Sequence, residues 1–128
     1  MKVGTRFGLA TVGILVIAAL AAIPSAGAST ASKASTCTLS THEQRHLGAS
    51  YVQTPLKVKN ISCDKAKGVV KDFHSCRHNN GGANGTCPKV DGFTCNEKII
   101  DKGPYQFTAK ATCKKGDSKI KQIFIENT

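Results

Sequence analysis

The amino-acid sequence predicts a small α+β domain stabilised by disulfide bonds, with one main helix packed on one face of an antiparallel sheet. Three observations support this fold class: a helical period near the middle of the chain, alternating apolar residues in its C-terminal third, and six cysteines behind an export-type N-terminus. We expect the sheet to contain three to four strands.

The first element is a signal peptide over residues 1–28. Lys2 and Arg6 give a basic start, an apolar stretch follows, and small residues up to Ala28 form a cleavage site. Cleavage after Ala28 would release a secreted, extracellular protein without a transmembrane segment.

The remainder divides into a tail and one domain. Residues 29–36 consist of serine, threonine and alanine with one lysine, and we expect a flexible tail there. Residues 37–128 form a single disulfide-stabilised α+β domain. An even cysteine count in a short exported chain predicts three disulfides. The six cysteines are Cys37, Cys63, Cys76, Cys87, Cys95 and Cys113.

A short helix should come first. Ser40 and Glu43 have the spacing of a capping box, and Gly48 is a suitable stop. Residues 51–61 should then be extended, because Leu56 and Val58 alternate with lysines.

The main helix should begin after Ser62, a good N-cap, and contain Cys63 and Cys76. A straight helix would separate these cysteines by about 20 Å, and a disulfide needs Cα atoms within about 7 Å. Each must therefore pair with a cysteine elsewhere. The apolar stripe consists of Cys63, Ala66, Val69, Val70, Phe73 and Cys76.

The C-terminal part should be β structure, because apolar and polar residues alternate around residues 93–96 and 105–113. After a turn at residues 115–117, residues 119–126 should return as a further strand. Tyr105 is expected on the inward side. Cys95 and Cys113 share the inward parity of their strands, so we expect them to pair with the two helix cysteines, in an order left open. Cys37 and Cys87 would then pair with each other.

These residues resemble a small secreted domain that recurs in actinobacterial proteins. The similar segments are residues 58–77 (VKNISCDKAKGVVKDFHSCR), GTC, GFTC and the final ATCKKGDSKIKQIFIENT, and the resemblance extends over roughly residues 37–128. The resemblance implies the fold and export. It implies no catalytic residue, because no established activity accompanies the domain.

His42, Glu43 and His46 form an H-E-x-x-H sequence, which in zinc proteases supplies two metal ligands and a general base. A zinc metallopeptidase-like protein is therefore one alternative. The helix is short and polar, however, and Glu43 already has a capping role.

A wider metal site is a second alternative, with Asp72 as a further ligand. Its histidines would be His42, His46, His74 and His78.

Charge is the broadest functional signal. The chain has 18 Lys and Arg against 8 Asp and Glu, a formal net charge of +10. Such an excess favours binding to anionic polymers or to membrane and cell-wall surfaces. The alternative is that scattered lysines keep the protein soluble. Lysine lacks the fork of arginine, and tryptophan is absent, so specific nucleic-acid recognition is not expected. The candidate binding residues are Lys57, Lys59, Lys65, Lys67, Lys71, Lys114, Lys115, Lys119 and Lys121.

A third alternative is a protease inhibitor that presents the loop at residues 77–90, with Arg77 or Lys89 as the recognised residue. The glycine-rich composition argues against a preorganised loop.

Taken together, these features predict a secreted, monomeric, non-enzymatic protein without a cofactor.

Overall fold

The computed structural model describes residues 33–128, which form an antiparallel sheet of seven strands with helices on one face. The signal-peptide prediction and the first part of the predicted tail lie outside these residues. A 3₁₀ turn at Gly82–Asn84 separates the second helix from the fourth strand. The elements are β1 Ala34–Cys37, α1 Thr41–His46, β2 Tyr51–Val52, β3 Leu56–Lys59, α2 Cys63–Asn79, β4 Lys89–Val90, β5 Phe93–Lys102, β6 Gln106–Lys115 and β7 Ser118–Asn127.

The α+β class and the disulfide stabilisation are confirmed, but the expectation of three to four strands is wrong. The sheet order is β1-β3-β7-β6-β5-β4, and β2 also pairs with β7. The additional strands are short, and two of them contain only two residues, too few to show alternation. β1 begins inside the segment predicted as a tail, because Ala34 pairs with Lys59.

The three long strands β5, β6 and β7 are present, and residues 93–96 of β5 and 107–113 of β6 alternate as predicted. Phe107 and Phe124 point toward the helices and are buried, and they pack edge to face with ring centroids 6.2 Å apart. Tyr105 was expected on the same inward side, but it lies in the turn before β6 and is 80% exposed.

The predicted capping box of α1 is present. Ser40 Oγ accepts a hydrogen bond from the Glu43 amide at 3.2 Å, and Glu43 Oε2 accepts one from the Ser40 amide at 2.8 Å. Gly48 follows the helix with φ +97°, and a Cβ there would lie 2.7 Å from the Cβ of His74. Glycine therefore allows α1 to turn closely against α2.

α2 begins at the predicted cap, where Ser62 Oγ accepts a hydrogen bond from the Lys65 amide. Most of its apolar stripe is buried, and Phe73 meets Phe124 of β7 with ring centroids 6.3 Å apart. Two polar residues, His74 and Arg77, are also fully buried on this stripe. The sequence pattern did not predict their burial.

The predicted disulfide pairing is wrong. The expectation that the two helix cysteines do not pair with each other is confirmed. Cys95 and Cys113 are direct partners in the register of β5 and β6, with Cα atoms 4.0 Å apart, so they bond to each other. The register of the hairpin, in addition to their shared parity, makes them direct neighbours. The two remaining bonds are Cys37–Cys63 and Cys76–Cys87.

Candidate functional site

The face of the sheet turned away from α2 is rich in lysine. Along β7 the residues beneath the helices, such as Ile120 and Phe124, are buried, so the alternate residues point outward. The strand register carries this parity across the sheet. We call this outer surface the lysine face, and its lysines are Lys57 and Lys59 on β3, Lys89 on β4, Lys98 on β5, Lys110 and Lys114 on β6, and Lys119 and Lys121 on β7.

Many of these lysines lie directly opposite another lysine on the neighbouring strand. Among residues 33–128, none of them forms a salt bridge. The acidic residue of the same parity is Asp101, opposite Thr108 at the far end of the sheet. Like charges in directly opposite positions are destabilising. The opposed pairs are Lys57 with Lys121, Lys59 with Lys119, Lys114 with Lys119, and Lys98 with Lys110.

The electrostatic strain is most evident at Lys119. The positive charges of Lys114, Lys121 and Lys59, in that order with some desolvation, lower the pKa of its ammonium group. A polyanion placed over these residues would remove this repulsion. The local electrostatics therefore favour a bound anion.

Two shallow grooves mark the part of the face where the lysines are densest. One has a volume of about 370 Å³ and is formed by β1, β3 and β7, with Lys57, Lys59, Lys119 and Lys121 in its lining. The second, of about 220 Å³, shares Lys57 and Lys121 and adds Lys110. The two grooves thus adjoin at one pair of opposed lysines.

The candidate lysines from the sequence divide between different surfaces. Lys57, Lys59, Lys114, Lys119 and Lys121 come together on the lysine face. Residues Lys89, Lys98 and Lys110 belong to the face as well, and sequence reasoning did not select them. Alternation along β5 and β6 was the signal that could have identified Lys98 and Lys110, whereas β4 is too short to show it for Lys89.

The remaining candidates lie elsewhere. Lys65 and Lys71 are exposed on α2, which covers the opposite face of the sheet. Lys67 forms a salt bridge with Glu43 at 2.6 Å. Lys115 donates to the carbonyl of Asp91 at 3.0 Å. These side chains cannot contact a ligand on the lysine face.

The H-E-x-x-H residues are arranged for capping and stacking. Hydrogen bonds from Lys67 and Ser40 lower the pKa of Glu43 to about 2, which makes it a weak general base at neutral pH. The rings of His42 and His46 are stacked with centroids 3.9 Å apart, and Nδ1 of His46 lies 2.7 Å from the carbonyl oxygen of His42. The part of the chain that the structure describes contains no group of three or more metal-ligating side chains.

The second histidine pair is separated by burial. His74 is buried, with Nε2 3.0 Å from Oε1 of Gln122, whereas His78 lies at the surface with Nε2 3.3 Å from Glu126. The hypothetical four-histidine site is therefore not assembled in the described fold.

Arg77, the candidate recognition residue of an inhibitor, is inaccessible. Its guanidinium is fully buried and donates to Glu97 at 2.8 Å, to Glu126 at 3.2 Å and to the carbonyl of Ala83 at 2.9 Å. A protease could not reach it without unfolding this region. Lys89 is exposed, but it belongs to the lysine face.

Searches of protein-family models, curated proteins and solved structures found no match to this chain. In residues 33–128, no helix is both long and apolar enough to cross a membrane. The fold and the surface together define a small, disulfide-stabilised α+β domain with a cationic sheet face.

Proposed function

We propose that this protein is a secreted domain that binds anionic polymers through its lysine face. Secretion is supported by the export-type sequence of residues 1–28 and by the disulfides, which are typical of extracellular proteins. The function that fits is non-enzymatic binding.

The observation that carries the proposal is the set of directly opposed lysines around the two grooves. Solubility is served by charges of both signs dispersed over a surface. Here one sign is concentrated on one face, at a cost in stability for each opposed pair. A polyanionic ligand gives this concentration a function.

The expected binding is ionic and depends on salt. Lysine offers a point charge, and the residues that line the two grooves include no aromatic side chain on which a sugar or a base could stack. Association would be driven by the release of counterions from the polymer.

The test compares two variants that each lose four positive charges. One replaces Lys57, Lys59, Lys119 and Lys121 with threonine, which suits strand positions. The matched control replaces four lysines outside the lysine face. These are Lys33, Lys65 and Lys71, changed to glutamine, and Lys102, changed to threonine.

Binding to fluorescently labelled heparin is measured at several salt concentrations. We expect the face variant to bind much more weakly and to reduce the slope of log K against log salt by about 3. The affinity of the control variant for heparin, and its salt dependence, should remain close to those of the unmodified protein. Equal losses in both variants would mean that net charge alone is responsible, and the proposal would be wrong.

A further inference from the structure

The four lysines of the larger groove form a regular arrangement along two strands. Lys57 lies opposite Lys121, and Lys59 lies opposite Lys119, which gives two pairs of ammonium groups. Successive pairs are two residues apart along each strand, a distance of about 6.4–6.8 Å. We call this arrangement the lysine ladder and each pair a rung.

The ladder has a defined direction. The larger groove contains both rungs, and the second groove continues from the Lys57–Lys121 rung past Pro55 before β3 and Ile123 of β7, with Lys110 of β6 at its side. A chain that follows both grooves therefore runs along β3 and β7 rather than across the sheet. Lys59, Lys119 and Lys121 are only partly exposed, so part of each side chain packs against its neighbours.

The spacing of the rungs matches one type of anionic polymer. A phosphodiester chain with three carbons between phosphates has six backbone bonds per repeat, as many as two residues of polypeptide. Fully extended, two residues of polypeptide span about 6.6–7.2 Å, and a phosphodiester repeat of six bonds has a similar length. Each phosphate also has two free oxygens, one for each ammonium group of a rung. Successive phosphates could therefore meet successive rungs.

We infer that the ligand of the lysine ladder is an extended phosphodiester chain with this six-bond repeat, aligned with β3 and β7. This inference rests on the proposed function and specifies its ligand. The lining of the grooves supports recognition of the backbone alone, because its remaining side chains are small, polar or aliphatic. Polyol phosphates and single-stranded nucleic acids share this backbone chemistry.

The experiment uses three oligomers of equal charge number: oligo(glycerol phosphate), oligodeoxythymidylate and oligogalacturonate. The galacturonate carries carboxylates at a spacing set by the sugar ring, so it tests charge without the phosphodiester repeat. Binding is measured by competition against a labelled oligo(glycerol phosphate). If one of the two phosphodiesters binds more tightly, its class of polymer is identified as the ligand. If both bind equally, the result supports recognition of the backbone that they share.

Two double variants test the ladder itself. Lys57→Thr with Lys121→Thr removes one rung, and we expect a loss of about tenfold for phosphodiesters at physiological salt, because two contacts disappear. Lys89→Thr with Lys98→Thr removes two charges from the same face outside the ladder. This second variant should lose less, because it weakens only the longer-range attraction.

Two results would overturn the inference while leaving the proposed function intact. One is oligogalacturonate binding as tightly as the phosphodiesters, and the other is an equal loss in the two double variants. If none of the oligomers binds and heparin does not bind either, the proposed function is wrong as well. Far-ultraviolet circular dichroism and the melting temperature confirm that each variant is folded.

Discussion

At the scale of single residues, the neutral imidazole of His74 links α2 to the sheet through a hydrogen bond to β7. Nε2 donates to Oε1 of Gln122, and Nδ1 has no hydrogen-bond partner in the structure of residues 33–128. Burial lowers the pKa of His74 to about 4, assisted by the positive charges of Arg77 and His78, although the bond to Gln122 opposes this shift.

This pKa predicts that acid destabilises the protein. Between pH 6.5 and 4 the unfolded chain binds a proton at His74 and the folded protein does not, so the free energy of unfolding falls as the pH falls. The loss across this window is on the order of 3 kcal/mol. Urea unfolding at several pH values would measure it. His74→Gln should flatten the dependence, and the exposed His42→Gln should preserve it; a slope unchanged in His74→Gln would contradict the assignment.

Arg77 is a second buried polar residue, and unlike His74 it is charged and forms ion pairs with two carboxylates. Its guanidinium lies between Glu97 and Glu126 and over the ring of Phe124, 4.7 Å from the centroid. Burial raises the pKa of Glu97, and the positive charge of Arg77 opposes this shift. The three charged groups therefore depend on one another for stability.

Replacement of Arg77 by methionine should reduce the free energy of unfolding by about 3–5 kcal/mol, because it leaves two carboxylates without their partner. Chemical denaturation provides the measurement. Adding Glu97→Gln and Glu126→Gln to the same protein should recover much of the loss. If the triple variant is no more stable than Arg77→Met, packing rather than charge determines the effect.

At the scale of elements, the disulfides hold α2 at both ends. Cys37–Cys63 joins its first residue to β1, and Cys76–Cys87 joins its last turn to the segment before β4. The first bond spans 26 residues of sequence and the second spans 11. A disulfide that closes a longer loop restricts the unfolded chain more strongly.

We therefore expect loss of the Cys37–Cys63 bond, through paired alanine substitutions, to cost about 3 kcal/mol. The corresponding loss for Cys76–Cys87 should be smaller by about 0.8 kcal/mol. Denaturation in urea would compare the two variants. The reverse order would indicate that native packing around the cysteines outweighs chain entropy.

The elements also show which features could be predicted from sequence. Both helix starts were predicted, because the bonds that Ser40 and Ser62 make lie within three residues along the chain. The disulfide pairing failed because it depends on which strands are neighbours. Alternation gave the parity of Cys95 and Cys113, and parity alone does not give register.

At the scale of the whole molecule, positive charge is concentrated on one face at the expense of stability. Lys119→Thr should raise the melting temperature at low salt, because it relieves repulsion from the neighbouring lysines, and the gain should shrink as salt is added. The same variant should bind polyanions more weakly. Lys102→Thr, outside the lysine face, is the control. A lower melting temperature for Lys119→Thr at every salt concentration would contradict this account.

The lysine face itself was only partly predictable. The sequence showed the excess of lysine, and composition contains no information about which lysines share a surface. Lys65 and Lys71 met the criterion of charge as well as Lys57 did, yet the helix carries them to the opposite side. Alternation assigns a strand lysine to the outer face, but strand order, which local patterns do not determine, decides which lysines lie opposite one another.

The agreement between the rung spacing of the lysine ladder and the repeat of the polymer has a consequence for motion. When a polymer with the matching repeat moves by one unit along β3 and β7, each rung meets a phosphate equivalent to the one it has just left. The positions before and after the step have the same energy, and only a few weak ionic contacts must be exchanged. Such a domain would diffuse along its ligand in one dimension, remaining attached while it searches the length of the chain.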